Sequence, residues 1–230
     1  MNILFLTDSL GYPRNEPPEI TAAQTWTYSV RDKFTARECG GEIKFYFDMK
    51  PGRDSSSLIW DVDNHIKAYE PDIVVLQVGI VDCYARALKK IERQILSRIP
   101  LVNTLTRKFI SRYYTQIIKM RDIAYVSKFE FKENMNYLKE SFGKTNWIVV
   151  PIAPASQSYC RLNPLIFERI SRYNEILHEV FRESYSSLLY QSANTEELYL
   201  GDNHHLSKYG HEHLSGKVSE ELSKLLEMTT

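Results

Sequence analysis

The stretch Asn2-Ile3-Leu4-Phe5-Leu6-Thr7-Asp8-Ser9-Leu10-Gly11 decides how the rest of the chain is read. Ile3 to Leu6 are an unbroken apolar run, the mark of a short strand buried on both faces, and the run stops abruptly at Thr7, Asp8 and Ser9. In an open parallel sheet, ligands bind in the crevice beyond the carboxyl ends of the strands, so Ser9 is expected on the floor of such a crevice. Taken alone, Thr-Asp-Ser is also an ordinary strand-to-loop transition in which Asp8 or Ser9 bonds its own backbone. What gives the serine weight lies near the other end of the chain.

Outward from Ser9 runs a polar, proline-rich loop, Gly11 to Pro18, of the kind that covers a crevice or simply connects. Ala22, Trp26, Val30 and Phe34 recur at helical spacing between Thr21 and Arg37, and Gly40-Gly41 is the expected stop. Ile43 to Phe47 reads as a second strand, bounded by Pro51-Gly52. A helix follows from Ser55 to Tyr69, with a serine as N-cap, and then the most apolar strand, Ile73 to Gly79. Asn146 to Ile152 reads as a fourth strand and Leu188 to Gln191 as a weak fifth. Pro164 suits the first turn of a long helix reaching Glu183, and Lys208 to Leu226 is the last helix. Strands alternating with helices imply right-handed crossovers and a parallel sheet.

Between Tyr84 and Lys128 the pattern changes. Helical stretches at 86–98 and 102–121 are divided by Ile99-Pro100, and from Tyr84 to Lys128 many Lys and Arg residues face only two acids, Glu92 and Asp122. A third helix, from about Phe129 to Phe142, leads back to the sheet. The chain is otherwise balanced, with a formal net charge of +0, which argues against a protein that binds nucleic acid throughout. Positive charge concentrated on one helical insertion is either a solvated face or a dock for an anionic partner or a membrane surface.

Its 230 residues suffice for one large α/β domain spanning 1–230, and 43% hydrophobic with 25% charged residues is an ordinary folded composition. Cys39, Cys83 and Cys160 are an odd, scattered set that forms neither a disulfide framework nor a zinc pattern. The first residues lack a signal peptide's basic start and apolar core, so a cytoplasmic location is expected.

Asp202 and His205 stand three apart in Gly201-Asp202-Asn203-His204-His205-Leu206-Ser207, just before the last helix. Acyl transfer by serine needs a base to take the hydroxyl proton and an acid to hold that base in one tautomer. One short loop can present both groups to Ser9. The plainer reading is that Asp202 or Ser207 caps the helix and that the histidines are surface residues.

Taken together these blocks resemble the SGNH or GDSL-type hydrolases over nearly the whole chain. Thr7-Asp8-Ser9-Leu10 resembles the first block, Gly52-Arg53-Asp54-Ser55-Ser56 the second, Gly79-Ile80-Val81-Asp82 the third, and Asp202 to Ser207 with Gly210 the last. The resemblance implies a three-layer α/β/α sandwich with a five-stranded parallel sheet in flavodoxin-like order. It also implies Ser9 as nucleophile, His205 as base, Asp202 as its orienting acid, and an oxyanion hole from the amides of Ser9 and Gly52, with Arg53 an alternative alignment for the latter. Asp8, Asp82 and His204 are expected beside the substrate.

Two positions depart from the pattern. Thr7 replaces a glycine, and Val81 replaces the asparagine that donates to the oxyanion, a loss that costs on the order of 100 to 1,000-fold in rate. The expected activity is esterase action on a small acyl ester, most of all an O-acetylated carbohydrate, with no metal or redox cofactor. Acyl transfer to a glycan acceptor and a silent module that binds glycan or phosphate are the alternatives.

Overall fold

The apolar run at residues 3–6 becomes the strand that the others are laid beside. The computed structural model describes residues 1–36 and 43–229, and its sheet contains β1 (Asn2–Thr7), β2 (Lys44–Met49), β3 (Ile73–Gln77) and β4 (Asn146–Val149). All pairings are parallel, in the order β2-β1-β3-β4. Ile3 to Leu6 have no exposed surface and neither do Val74 to Leu76, as expected where helices cover both faces. The expected stop at Gly40-Gly41 and Cys39 lie outside the described residues.

The helices are α1 (Trp26–Thr35), α2 (Ser55–Asn64), α3 (Ile80–Cys83), α4 (Lys90–Ser97), α5 (Pro100–Arg121), α6 (Lys128–Ser141), α7 (Gln157–Leu162), α8 (Ile166–Phe181) and α9 (Lys208–Thr229). α1 packs on α9, while α2, α6 and α8 pack as a second row, which makes the α/β/α layering. Phe5 reaches one layer through Trp26, ring centroids 5.6 Å apart, and Phe131 on α6 meets Tyr173 on α8 at 5.0 Å in the other.

The fifth strand does not form. Residues 188–191 curl into turns in which Leu189 donates to Ser186 O and Gln191 to Leu188 O, so those amides are used locally. What joins the sheet there is an isolated parallel bridge from Tyr185 to Val149. The helix expected at 55–69 breaks at His65 into α2 and a short 3-10 turn, and its N-cap is Asp54, whose carboxylate accepts from the Ser57 amide. In the insertion, α4 begins at Lys90, because Arg86 is held in a bridge to Ile123.

Register places the candidate site. Thr7 pairs with Met49 on one side and Gln77 on the other, so β1, β2 and β3 end side by side. Strand order reverses between β1 and β3, and the crevice of a doubly wound sheet opens at such a point. The segments carrying Ser9, Gly52 and Val81 all leave the sheet at this edge.

Candidate active site

Ser9 opens a 3-10 turn, Ser9–Gly11, directly after β1. Asp8 caps it, accepting from the Leu10 amide at 2.8 Å. As first residue of the turn, Ser9 has no acceptor within it for its own amide. α1 fixes the rest: Trp26 Nε1 donates to Leu10 O and Thr27 Oγ1 to Gly11 O, each at 3.2 Å. Ser9 itself keeps partial exposure.

Beside it, the turn after β2 is tied to the end of β1 by Lys50, whose amide donates to Thr7 O at 3.1 Å. Gly52 is exposed and left-handed, with φ of +71°, a conformation that costs glycine little. The alternative residue, Arg53, has its amide committed to Lys50 O at 3.2 Å. Its buried guanidinium bonds the Asp48 carbonyl and carboxylate and the Asp61 carboxylate. Arg53 therefore braces the turn from below. Val81 lies in α3 with 5% of its surface exposed and offers no side-chain donor.

The 200–207 loop closes on itself. Leu200 N donates to His205 O, Ser207 N to Leu198 O, and Asn203, at φ +55°, donates its amide to Leu200 O. Ser207 is the helix cap, its hydroxyl accepting from the Gly210 amide at 3.0 Å. Gly210 lets α9 come this near, since a Cβ there would fall 2.4 Å from Leu198 O. Asp202 is left to serve the histidines. Its Oδ1 accepts from the amides of His204 and His205 at 2.9 and 3.0 Å, and its Oδ2 from His205 Nδ1 at 2.8 Å.

Two links tie this loop and the helix after it to the segments around the Ser9 turn. Arg14 donates from Nη1 to Asp202 Oδ2 at 3.0 Å, and its backbone pairs in both directions with Ile20, which closes the loop that carries it. Trp26, which holds Leu10, also donates its backbone amide to Nδ1 of the buried His211 on α9 at 3.2 Å. Neither Arg14 nor His211 was legible as a site residue. A lone cation in a proline-rich loop was the one signal for the first.

Burial would raise the Asp202 carboxyl, but the amides and ring of His205 and the His204 amide outweigh it and hold the acid well below the usual carboxylate range. His204 is pushed down to about 4, first by burial and then by the charges of His205 and Arg86. Its Nδ1 lies 3.3 Å from Tyr159 Oη, and Tyr84 meets the ring edge-on. Of the residues expected beside substrate, His204 retains some surface, while Asp8 and Asp82 have none. Burial pushes each of these acids up to about 7. Asp82 Oδ1 accepts from the Ser55 amide at 2.8 Å, so both acids hold backbone at the strand ends.

No protein-family model and no curated protein sequence matches the chain. Solved structures share its fold. The lipase/acylhydrolase from Enterococcus faecalis superposes with a TM-score of 0.66 at 15% identity, covering 96% of this chain and 94% of that one. The psychrotrophic esterase EstA from Pseudoalteromonas sp. gives 0.61 at 16%, covering 98% of each. An acetylxylan esterase from Geobacillus stearothermophilus gives 0.63 at 15%, covering 96% and 93%. That enzyme is known as catalytic mutants of a serine, an aspartate and a histidine, the last two three positions apart. At these identities the likeness establishes the fold, the one expected from the SGNH-type blocks.

Proposed function

We propose that the protein is a serine esterase of the SGNH type that hydrolyses a small acyl ester, with O-acetylated carbohydrate as its substrate class. The observation that carries this is the Asp202–His205 pair at 2.8 Å, in a loop that Arg14 ties to the segment following Ser9. With Nδ1–H donating to Asp202, the lone pair of His205 is on Nε2, the nitrogen free to act as base. Ser9 Oγ attacks the ester carbonyl while His205 takes its proton. The amides of Ser9 and Gly52 receive the oxyanion. His205 then protonates the departing alcohol and, in the second half, activates the water that frees the acid.

The half-buried ring of Tyr84 beside His204 offers an apolar body with a polar tip, which suits a sugar ester. The likeness to an acetylxylan esterase supports the same class. Free Cys83 and Cys160 support a cytoplasmic location.

Ser9→Ala should abolish both turnover of an acetyl ester and labelling by a fluorophosphonate, and labelling that survives the substitution would refute the role of Ser9. Buried Val81, in place of a donor, favours a second reading, a silent module that binds glycan. In that case the unsubstituted protein takes no fluorophosphonate label while still binding sugar. Transfer to a glycan acceptor is separated from hydrolysis by the product ratio when acyl donor and acceptor are supplied together.

A further inference from the structure

Of the helices between β3 and β4, α3 and α6 pack into the core, whereas α4 and α5 hold several large apolar side chains outside it. α5 meets the body through Ile118, which is fully buried, with Ile110, Tyr114 and Ile117 packed around it. Before the kink at Tyr113, whose backbone is non-helical, Leu105 and Phe109 stand one turn apart and are 61% and 59% exposed, and Tyr113 itself is 40% exposed. α4 contains no buried residue, and Ile91, Ile95 and Ile99 repeat the same spacing along it and its C-terminal end at 58%, 53% and 48%. Two outward apolar stripes on consecutive helices are not explained by the core.

Their surroundings identify the partner. From Arg93 to Arg121 the chain contains no Asp or Glu, but it carries Arg93, Arg98, Arg107, Lys108, Arg112 and Lys119. A cavity of about 970 Å³ reaches from α4 to α8 and is lined by seven Lys and Arg side chains, of which Lys90, Arg121, Arg169 and Arg172 are paired with Asp54, Glu92, Asp122 and Glu168, leaving the positive excess to Lys89, Lys119 and Lys128. Ile91 borders this cavity and also belongs to the α4 stripe. A second copy of the chain would bring the same cations face to face across a twofold contact, so self-association is opposed. A partner must offer negative charge together with an apolar interior. An anionic lipid surface offers both, and a helix lying in its plane presents this pattern of apolar stripe and Lys/Arg flanks. No described helix is long and apolar enough to cross a membrane, which leaves lying on it.

We infer that α4 and α5 dock the protein on an anionic membrane surface, with Ile91, Ile95, Leu105 and Phe109 entering the acyl boundary and Arg98, Arg107, Lys108 and Arg112 meeting lipid phosphates. The inference is independent of the esterase reading, because Ser9→Ala should bind as the unsubstituted protein does.

The test is co-sedimentation with phosphatidylcholine vesicles with and without phosphatidylglycerol, across a salt series. Binding should need phosphatidylglycerol and weaken steeply with salt. Arg107→Gln with Lys108→Gln should weaken it by an order of magnitude or more, at roughly fivefold per cation. Ile95→Ser with Phe109→Ser should weaken it about as much while leaving soluble-ester turnover unchanged. Three results would overturn the inference: no binding to either vesicle, binding unaffected by Ile95→Ser with Phe109→Ser, which marks a purely electrostatic polyanion site, or a concentration-dependent dimer that those two substitutions dissolve. Saturable capture of a soluble acidic protein with no vesicle binding would likewise assign the face to a protein partner.

Discussion

The strand edge that carries Ser9 and the helical insertion between β3 and β4 are built on opposite plans. At the edge, every side chain of β1 from Ile3 to Thr7 is sealed from water, and the loops are held by hydrogen bonds from separate elements. In the insertion, α4 buries nothing and Phe109 and Met120 face outward at 59% and 81% exposure. The contrast teaches where the chain invests its apolar residues. On the sheet they hold geometry still, and on the insertion they remain available to something outside the molecule.

The largest effect should come at the edge. Asp202→Asn keeps the shape of the loop but removes the charge that holds His205 in one tautomer, and kcat on an acetyl ester should fall about ten-thousandfold. The same assay on Ile95→Ser should show no change, and a comparable fall there would erase the distinction between the two regions. Next comes stability. Phe5 is fully buried against Trp26 and Phe47, so Phe5→Ala should cost about 3 to 5 kcal/mol in denaturant unfolding. Phe109→Ala should stay within about 0.5 kcal/mol. Equal costs would mean that the insertion is core after all.

A smaller signature is a tilt with pH. Asp82 is raised from 3.8 to about 7, so between those values the folded state holds a proton the unfolded state has released, and stability falls as pH rises. His211 is lowered from 6.5 to about 4 by burial, so the unfolded state binds the extra proton in nearly the same window and stability rises with pH. Asp8 adds to the first contribution and His204 to the second, and the two kinds oppose each other. Asp82→Asn removes the Asp82 contribution while keeping an acceptor for the Ser55 amide, so its melting temperature relative to the unsubstituted protein should climb with pH up to about 7 and level off above it. A difference that stays flat would show that Asp82 is ionised in the fold. Smallest is Arg14→Gln. Its bond to Asp202 is partly exposed, with side chains at 20% and 38%, and its loss should lower kcat/KM by roughly fivefold, about 1 kcal/mol.

The same division governs what was legible in the residues themselves. β1 could be read because four apolar residues in sequence have one good explanation, and the Asp202–His205 pair because both partners sit within one loop. Arg14 could not, since its contact spans 188 positions and nothing local foretells it. Leu188 to Gln191 is apolar enough to suggest a strand, yet its amides find partners three residues back, and alternation cannot reveal that. A serine was the natural cap for α2, but the flanking Asp54 reaches the Ser57 amide instead. In the insertion, charge was visible at once. The outward direction of Ile91, Ile95 and Ile99 was not, because the same spacing describes a buried face as well as an exposed one.

Trp26 grips Leu10 with its ring and His211 with its backbone, and so it couples the first turn of the chain to its final helix. During synthesis the four strands are complete by Val149, some fifty residues before Asp202 leaves the ribosome. On the proposed chemistry a nascent or prematurely terminated product would present its serine with no relay beside it. The relay is complete only once the 200–207 loop, anchored to the start of α9 by Ser207 and Gly210, meets the segment around Ser9.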